Sequence, residues 1–167
     1  MAAGHIIAVV GGKGGVGKSV FAANLALAYL MEMRQRPMLV DIDMNSLGDQ
    51  NLILGIKSPK SIVEVSTYQG TSIDIKALQP MMISTASGMS YISAPTDAIQ
   101  ARELDVEGVG RALKAFSGIF PMTIVDCGSE ITPAVVKTFE MATMIFVVTT
   151  QDVIVVNQTK RILGKIQ

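Results

Sequence analysis

The sequence predicts a three-layer α/β domain, in which a mostly parallel central sheet is covered by helices on both faces. Three observations predict it. Short apolar, β-branched runs alternate with helix-period segments along the chain, the order expected of a parallel sheet. Hydrophobic residues make up 49% of the 167 positions and charged residues only 17%, so most elements bury both sides. Two of the apolar runs, 37–43 and 120–126, end in aspartate, and ligands of open α/β sheets bind at the C-terminal ends of strands.

The first strand is His5 to Val10, and the helix after it runs from Val20 to Met33 with almost no polar face. Between them lies Gly11 to Ser19, GGKGGVGKS, which contains a glycine, four residues, then Gly-Lys-Ser. This is the phosphate-loop pattern. Phosphate oxygens must approach consecutive backbone N–H groups, and a Cβ would block them, hence Gly12, Gly14, Gly15 and Gly17. The start of the helix adds its own N–H groups and dipole. Lys18 brings a mobile cation for the terminal phosphates, and Ser19 a hydroxyl for Mg²⁺. Gly12, Lys13, Gly14, Gly15, Val16, Gly17, Lys18 and Ser19 are therefore the candidate nucleotide-binding residues. The bland alternative is a glycine-rich turn between core elements. Lys13 sits inside the loop with its side chain expected to point outward, towards a second copy of the chain or simply into solvent.

The first helix carries Ala22, Ala23, Ala26 and Ala28, small enough for close packing on a sheet, and Pro37 prevents its continuation. Residues 37–43 read as the second strand. Positions two apart share a face, so Asp41 and Asp43 project together, suited to Mg²⁺ or an attacking water, unless both are merely solvated. Residues 67–80 read as a short helix and a loop, 81–84 as a short strand, Gly88 as a turn and 91–95 as a strand. A loop with a helical turn covers 96–102, and Asp105 to Phe116 form an amphipathic helix. Residues 120–126 have the Walker B form, an apolar run whose terminal acid, Asp126, holds Mg²⁺, usually through water. Cys127 reads as a small packed residue. Glu130 receives no role, because a Walker B glutamate follows the aspartate directly. Thr132-Pro133 starts a helix through Glu140, with threonine as N-cap. Residues 144–150 read as a buried strand and 152–167 as the last helix. Lys160, Arg161 and Lys165 give that helix a basic face, for solvent or for peripheral membrane contact.

Composition narrows the function. The formal net charge is zero, so no basic field exists for nucleic acid, and none is expected as a partner. The single cysteine excludes an internal disulfide framework and fits a reducing, cytoplasmic setting. The apolar run after Gly4 is too short for a signal peptide, and no stretch reaches membrane-helix length. The eleven methionines are spread along the chain as core filler. His5 has no partners for a metal role. With no repeat or linker, 1–167 reads as one domain.

The loop GKGGVGKS, with its extra Lys13, resembles the deviant Walker A of the MinD/ParA family of ATPases. In that family the extra lysine reaches across a nucleotide-sandwich dimer, and an Asp-x-Asp like Asp41-Ile42-Asp43 is the first switch. The segment Met44 to Glu64, and later Ala94-Pro95 followed by Glu103-Leu104 and a helix, look most like the CpaE/TadZ branch. The Asp-Pro-Gln-Gly usual in ParA is absent. Cys127-Gly128-Ser129-Glu130 also departs from the family, which follows its Walker B aspartate with a small residue and a proline. The resemblance runs from His5 to Leu163.

It implies Mg²⁺-dependent ATP binding and slow hydrolysis coupled to homodimer formation. Lys13, Lys18 and Asp43 would be catalytic, with Asp43 placing the water. Ser19, Asp43 and Asp126 would serve the metal directly or through water. The implied partners are a second copy and a pilus or secretion apparatus, with recruitment to the membrane or cell pole. The adenine pocket would lie beyond Gln167, in a chain truncated at its C-terminus. Two rivals remain: a non-enzymatic dimerising scaffold with a degenerate site, and a DNA-partitioning ATPase, against which the neutral charge speaks. An iron–sulfur carrier would need two cluster cysteines per subunit and is set aside.

Overall fold

The structure, a computed structural model, describes residues 3–68 and 75–166. The strands are β1 (His5–Gly11), β2 (Met38–Asp41), β3 (Ile83–Ser84), β4 (Ser90–Ile92), β5 (Met122–Asp126) and β6 (Met144–Val148). The helices are α1 (Lys18–Met33), α2 (Asp49–Leu54), α3 (Ile62–Ser66), α4 (Ile75–Leu78), α5 (Ala98–Ala101), α6 (Val106–Ser117), α7 (Pro133–Met141) and α8 (Val153–Ile166). The six strands lie in the order β3-β4-β2-β5-β1-β6. Every pairing is parallel except β3 with β4, so the expected mostly parallel sheet is what the chain forms.

Strand alternation divides the core into two faces. Ile6, Ala8, Val10, Met38, Val40 and Val125 point towards α3, α6, α7 and α8, meeting Val65, Leu113, Phe116 and Ile162. Ile7, Val9, Leu39, Tyr91 and Ile124 point the other way, onto Ala22, Ala23 and Ala26 of α1. The alanines let α1 lie close to the sheet, so its first turn is held over the end of β1. The caps follow from sequence. Thr132 accepts from the Val135 amide at 3.3 Å, with Pro133 opening α7. Asp105 caps α6, and Ser61 with Glu64 forms a reciprocal capping box on α3.

Several boundaries differ from the sequence-based expectation. The strand expected over 37–43 stops at Asp41, because the Asp43 amide turns back to donate to Asp41 Oδ1 at 3.0 Å. Asp43 therefore lies beyond the strand, in a local turn, rather than on its face. The first helix begins at Lys18 instead of Val20, so Lys18 and Ser19 are helical. The strands at 91–95 and 120–126 shorten to Ser90–Ile92 and Met122–Asp126, and 81–84 to Ile83–Ser84. The strand expected to be buried over 144–150 is instead a half-exposed edge strand ending at Val148. Among the described strands it has one neighbour, β1, and Met144 is 53% exposed. Of the 67–80 reading, α4 and a 3₁₀ turn at Gln79–Met81 are present, and 69–74 lie outside the described residues. No described helix is long and apolar enough to cross a membrane.

Candidate nucleotide-binding site

β1 delivers the chain at Gly11 to a loop that ends at the N-terminus of α1. Gly15 and Gly17 take left-handed φ values of 80° and 93°, which favour glycine. A Cβ on Gly14, Gly15 or Gly17 would meet nothing within 4 Å, so these exposed glycines face open space. Gly17 caps α1 without a side-chain bond, which leaves first-turn N–H groups without a side-chain partner. Lys18 is 5% exposed, and its Nζ donates to the Lys13 carbonyl at 3.0 Å. The Lys13 side chain is exposed, as its place in the loop predicts.

Gly12 obeys a different constraint from the one read in sequence. A Cβ there would lie 2.5 Å from the Thr159 amide nitrogen and 2.7 Å from the Gln158 carbonyl carbon, both in the backbone of α8. Helix packing, rather than phosphate approach, excludes a side chain at Gly12.

Three carboxylates cluster at and just beyond the C-terminal ends of β2 and β5. Asp41 and Asp126 are opposite one another in the register of β2 and β5, and both are fully buried. Asp126 Oδ1 accepts from the Gly128 amide at 3.3 Å. The Oδ2 atoms of both aspartates are buried without a hydrogen-bond partner. Burial pushes the Asp41 carboxyl well above the usual carboxylate range, and the neighbouring Asp126 charge adds to the rise. Burial raises Asp126 too, opposed by the nearby Ser19 hydroxyl, by the hydrogen bond from the Gly128 amide and by the Lys18 charge. Asp43 Oδ1 accepts from the amides of Asn45 at 3.1 Å and Ser46 at 3.3 Å, which fixes its carboxylate.

The segment after β5 is tied to both the loop and the first switch. The Gly11 amide donates to the Gly128 carbonyl at 3.3 Å, and the Cys127 amide to the Val9 carbonyl at 2.9 Å. Gly128, at φ 68°, leaves space that the Asp43 carboxylate fills. The Cys127 thiol is buried and its pKa is pushed up by that burial, so it packs rather than reacts.

These residues fit a nucleotide with a divalent cation. The glycine loop and α1 N-terminus offer donors to an anion, and the unpartnered carboxylate oxygens suit a hard cation. No group of three His, Cys, Asp or Glu side chains forms a ready metal site among the described residues. A cation here would combine Ser19 and Asp126 with phosphate and water oxygens. Lys18, Ser19, Asp43 and Asp126 are thus brought together as expected. The sequence offered less warning of Asp41 as a buried acid paired with Asp126, or of Gly128 as the contact of Asp43. The Asp-x-Asp spacing was the only signal for Asp41.

The sequence profile of the ParA family, described as NUBPL iron-transfer P-loop NTPase, matches residues 2–166. The chain belongs to the ParA family of P-loop NTPases. Among ParA-type relatives, it is 29% identical over 136 residues to the antiactivator FleN of Pseudomonas aeruginosa, covering 80% of this chain and 46% of FleN. The fold matches a ParA family ATPase from Chlorobium tepidum with a TM-score of 0.90 at 24% identity, over 98% of this chain and 68% of that one. Cobyrinic acid a,c-diamide synthase of Mycobacterium smegmatis, solved with a bound ATP analogue and magnesium, matches at a TM-score of 0.77 and 26% identity, over 98% and 66% of the two chains. This ParA-family chain spans about half the length of its relative FleN.

Proposed function

We propose that this chain binds ATP with Mg²⁺ and hydrolyses it slowly, as a switch that forms a homodimer in the nucleotide-bound state. The observation that carries this reading is the open glycine loop near the buried, unpartnered Asp126 Oδ2, on which the Lys18 charge acts. The backbone of Gly12 to Gly17 and the first turn of α1 bind the phosphates. Lys18 exchanges its bond to the Lys13 carbonyl for the terminal phosphates. Ser19 and Asp126 hold the cation, directly or through water, and Mg²⁺ supplies charge neutralisation at the phosphates. Asp43 orients the attacking water through the oxygen its turn leaves free. Lys13, exposed on the loop, reaches the partner's nucleotide. The Met44 to Glu64 segment supports a role like that of the CpaE/TadZ branch, positioning or assembling a pilus or secretion apparatus.

Calorimetric titration with Mg-ADP and a phosphate-release assay test the reading together. Wild type should bind and turn over slowly, whereas Asp43→Ala should bind within a few-fold of wild type and release no phosphate. Absence of any Mg-ADP titration in wild type would remove the nucleotide reading. Unchanged release by Asp43→Ala would remove Asp43 from the mechanism.

A further inference from the structure

A cavity of about 900 Å³ opens at the end of the sheet opposite the phosphate loop. Gly4 precedes β1, Arg36 precedes β2, Ser90 opens β4 and Phe120 precedes β5, so the cavity is walled by the N-terminal ends of the strands. The glycine loop follows the C-terminal end of β1. The volume is within the range of small-molecule sites, roughly 300–1,000 Å³.

Among the described residues, Arg36 is the one ionisable side chain in this wall, and no carboxylate lines it. Its guanidinium donates to the Ser84 hydroxyl and joins none of the ion pairs among the described residues. One hydroxyl leaves most of its five N–H donors free for a planar acceptor. Gln35 stands beside it, its amide oxygen already accepting from the Tyr29 hydroxyl at 2.9 Å, so its NH₂ is left to donate. Ser90 is fully buried in the wall, and its Oγ has no hydrogen-bond partner, a condition that native proteins rarely leave uncompensated. Gln79 and Ser117 add two more polar side chains to the wall, and the rest is glycine or apolar. Met82, Ile119 and Phe120 supply its apolar part, and Ile119 is 47% exposed. Among the described residues a cation would find no counter-charge here, and a polyanion would find one arginine and no lysine.

We propose that this cavity binds a small organic acid, a single carboxylate on an apolar body. Arg36 takes the carboxylate through its fork of N–H groups, a geometry that matches two oxygens at once. Gln35 and Ser84 flank the head group. Met82, Ile119 and Phe120 cover the body, which removes the exposed Ile119 from water. The site is separate from the nucleotide loop and does not depend on nucleotide binding.

The test is a titration of the full chain, labelled with ¹³C in its methionine and isoleucine methyl groups, with octanoate and with 1-octanol. Octanoate should shift the Met82 and Ile119 methyl signals saturably. Arg36→Gln should weaken octanoate at least tenfold, and 1-octanol should bind wild type as weakly as octanoate binds the variant. Arg36 is exposed, so the variant should keep the wild-type amide spectrum. Equal octanoate affinity in wild type and Arg36→Gln would overturn the proposal. So would shifts that never saturate, or that spread to exposed apolar residues elsewhere, such as Val153 and Ile154 of α8.

Discussion

The carboxylate of Asp43 rests on the Cα of Gly128. A methyl group on Gly128 would lie 2.4 Å from Asp43 Cγ and 2.5 Å and 2.6 Å from its two oxygens. The same glycine accepts from the Gly11 amide through its carbonyl and donates to Asp126 through its own amide. One residue therefore touches the glycine loop, Asp126 and Asp43. Gly128→Ala should keep Mg-ADP binding within a few-fold, since the loop's contacts to phosphate are untouched. It should lower phosphate release at least tenfold, because Asp43 must move. The left-handed φ adds a stability cost of about 1–3 kcal/mol. Release and calorimetry on the same preparation check this. Wild-type turnover in the variant would mean that the Asp43 position is not needed.

Lys18→Ala should abolish detectable nucleotide binding in calorimetry. Lys18 is buried and already bonded to a loop carbonyl, so its charge is held at the site before any ligand arrives. The variant should fold normally, with thermal unfolding close to wild type, because the lost bond is a single one to the Lys13 carbonyl. Binding at wild-type strength would refute the role given to the glycine loop.

Lys13→Ala should leave single-subunit binding of Mg-ADP unchanged and weaken dimer formation with a non-hydrolysable ATP analogue. The side chain is exposed and its carbonyl, rather than its ammonium, takes part in the loop. Light scattering across a concentration series reads the difference. Equal dimer formation would make Lys13 a solvated surface residue.

Glu64 gives a pH signature unrelated to the nucleotide. Burial works to raise its carboxyl, but hydrogen bonds from the Ser61 hydroxyl and amide and from Gln100 outweigh it and hold the pKa below the ordinary value. A carboxylate depressed in the folded state contributes stability above its unfolded pKa, and that contribution is lost as pH falls through the folded value. Glu64→Ala should therefore lower stability by about 1 kcal/mol at pH 7, the scale of a helix cap. The gap to wild type should close in acid, below about pH 4. Urea unfolding at both pH values measures it.

The glycine loop, the helix after it and the two aspartate-terminated strands were legible because their signals are local. Each rests on residue types within a few positions of one another. What was not legible depends on segments meeting in space. Nothing around Gly128 says that Asp43 will lie on it, and nothing around Asp41 says that β2 and β5 will pair in a register that sets two acids side by side. The β6 error has a related cause. Met144 to Val148 is as apolar as β1, and an apolar run reads as buried whether its strand is central or at an edge. Edge position follows from strand order, which the run itself does not encode. Asp43 was placed on a strand because alternation was extended past the point where its amide turns back to Asp41.

Gly12 has a consequence for the far end of the chain. The backbone of Gln158 and Thr159 occupies the space a side chain there would need, so the loop and α8 are in close contact. Thermodynamic reciprocity then applies to the pair. If filling the loop with phosphate favours the arrangement in which Gly12 meets α8, occupancy raises the free energy needed to undock that helix. Undocking lowers nucleotide affinity by the same factor. The order of the last helix becomes a readout of what the first loop holds, and amide exchange along α8, with and without Mg-ADP, would record it.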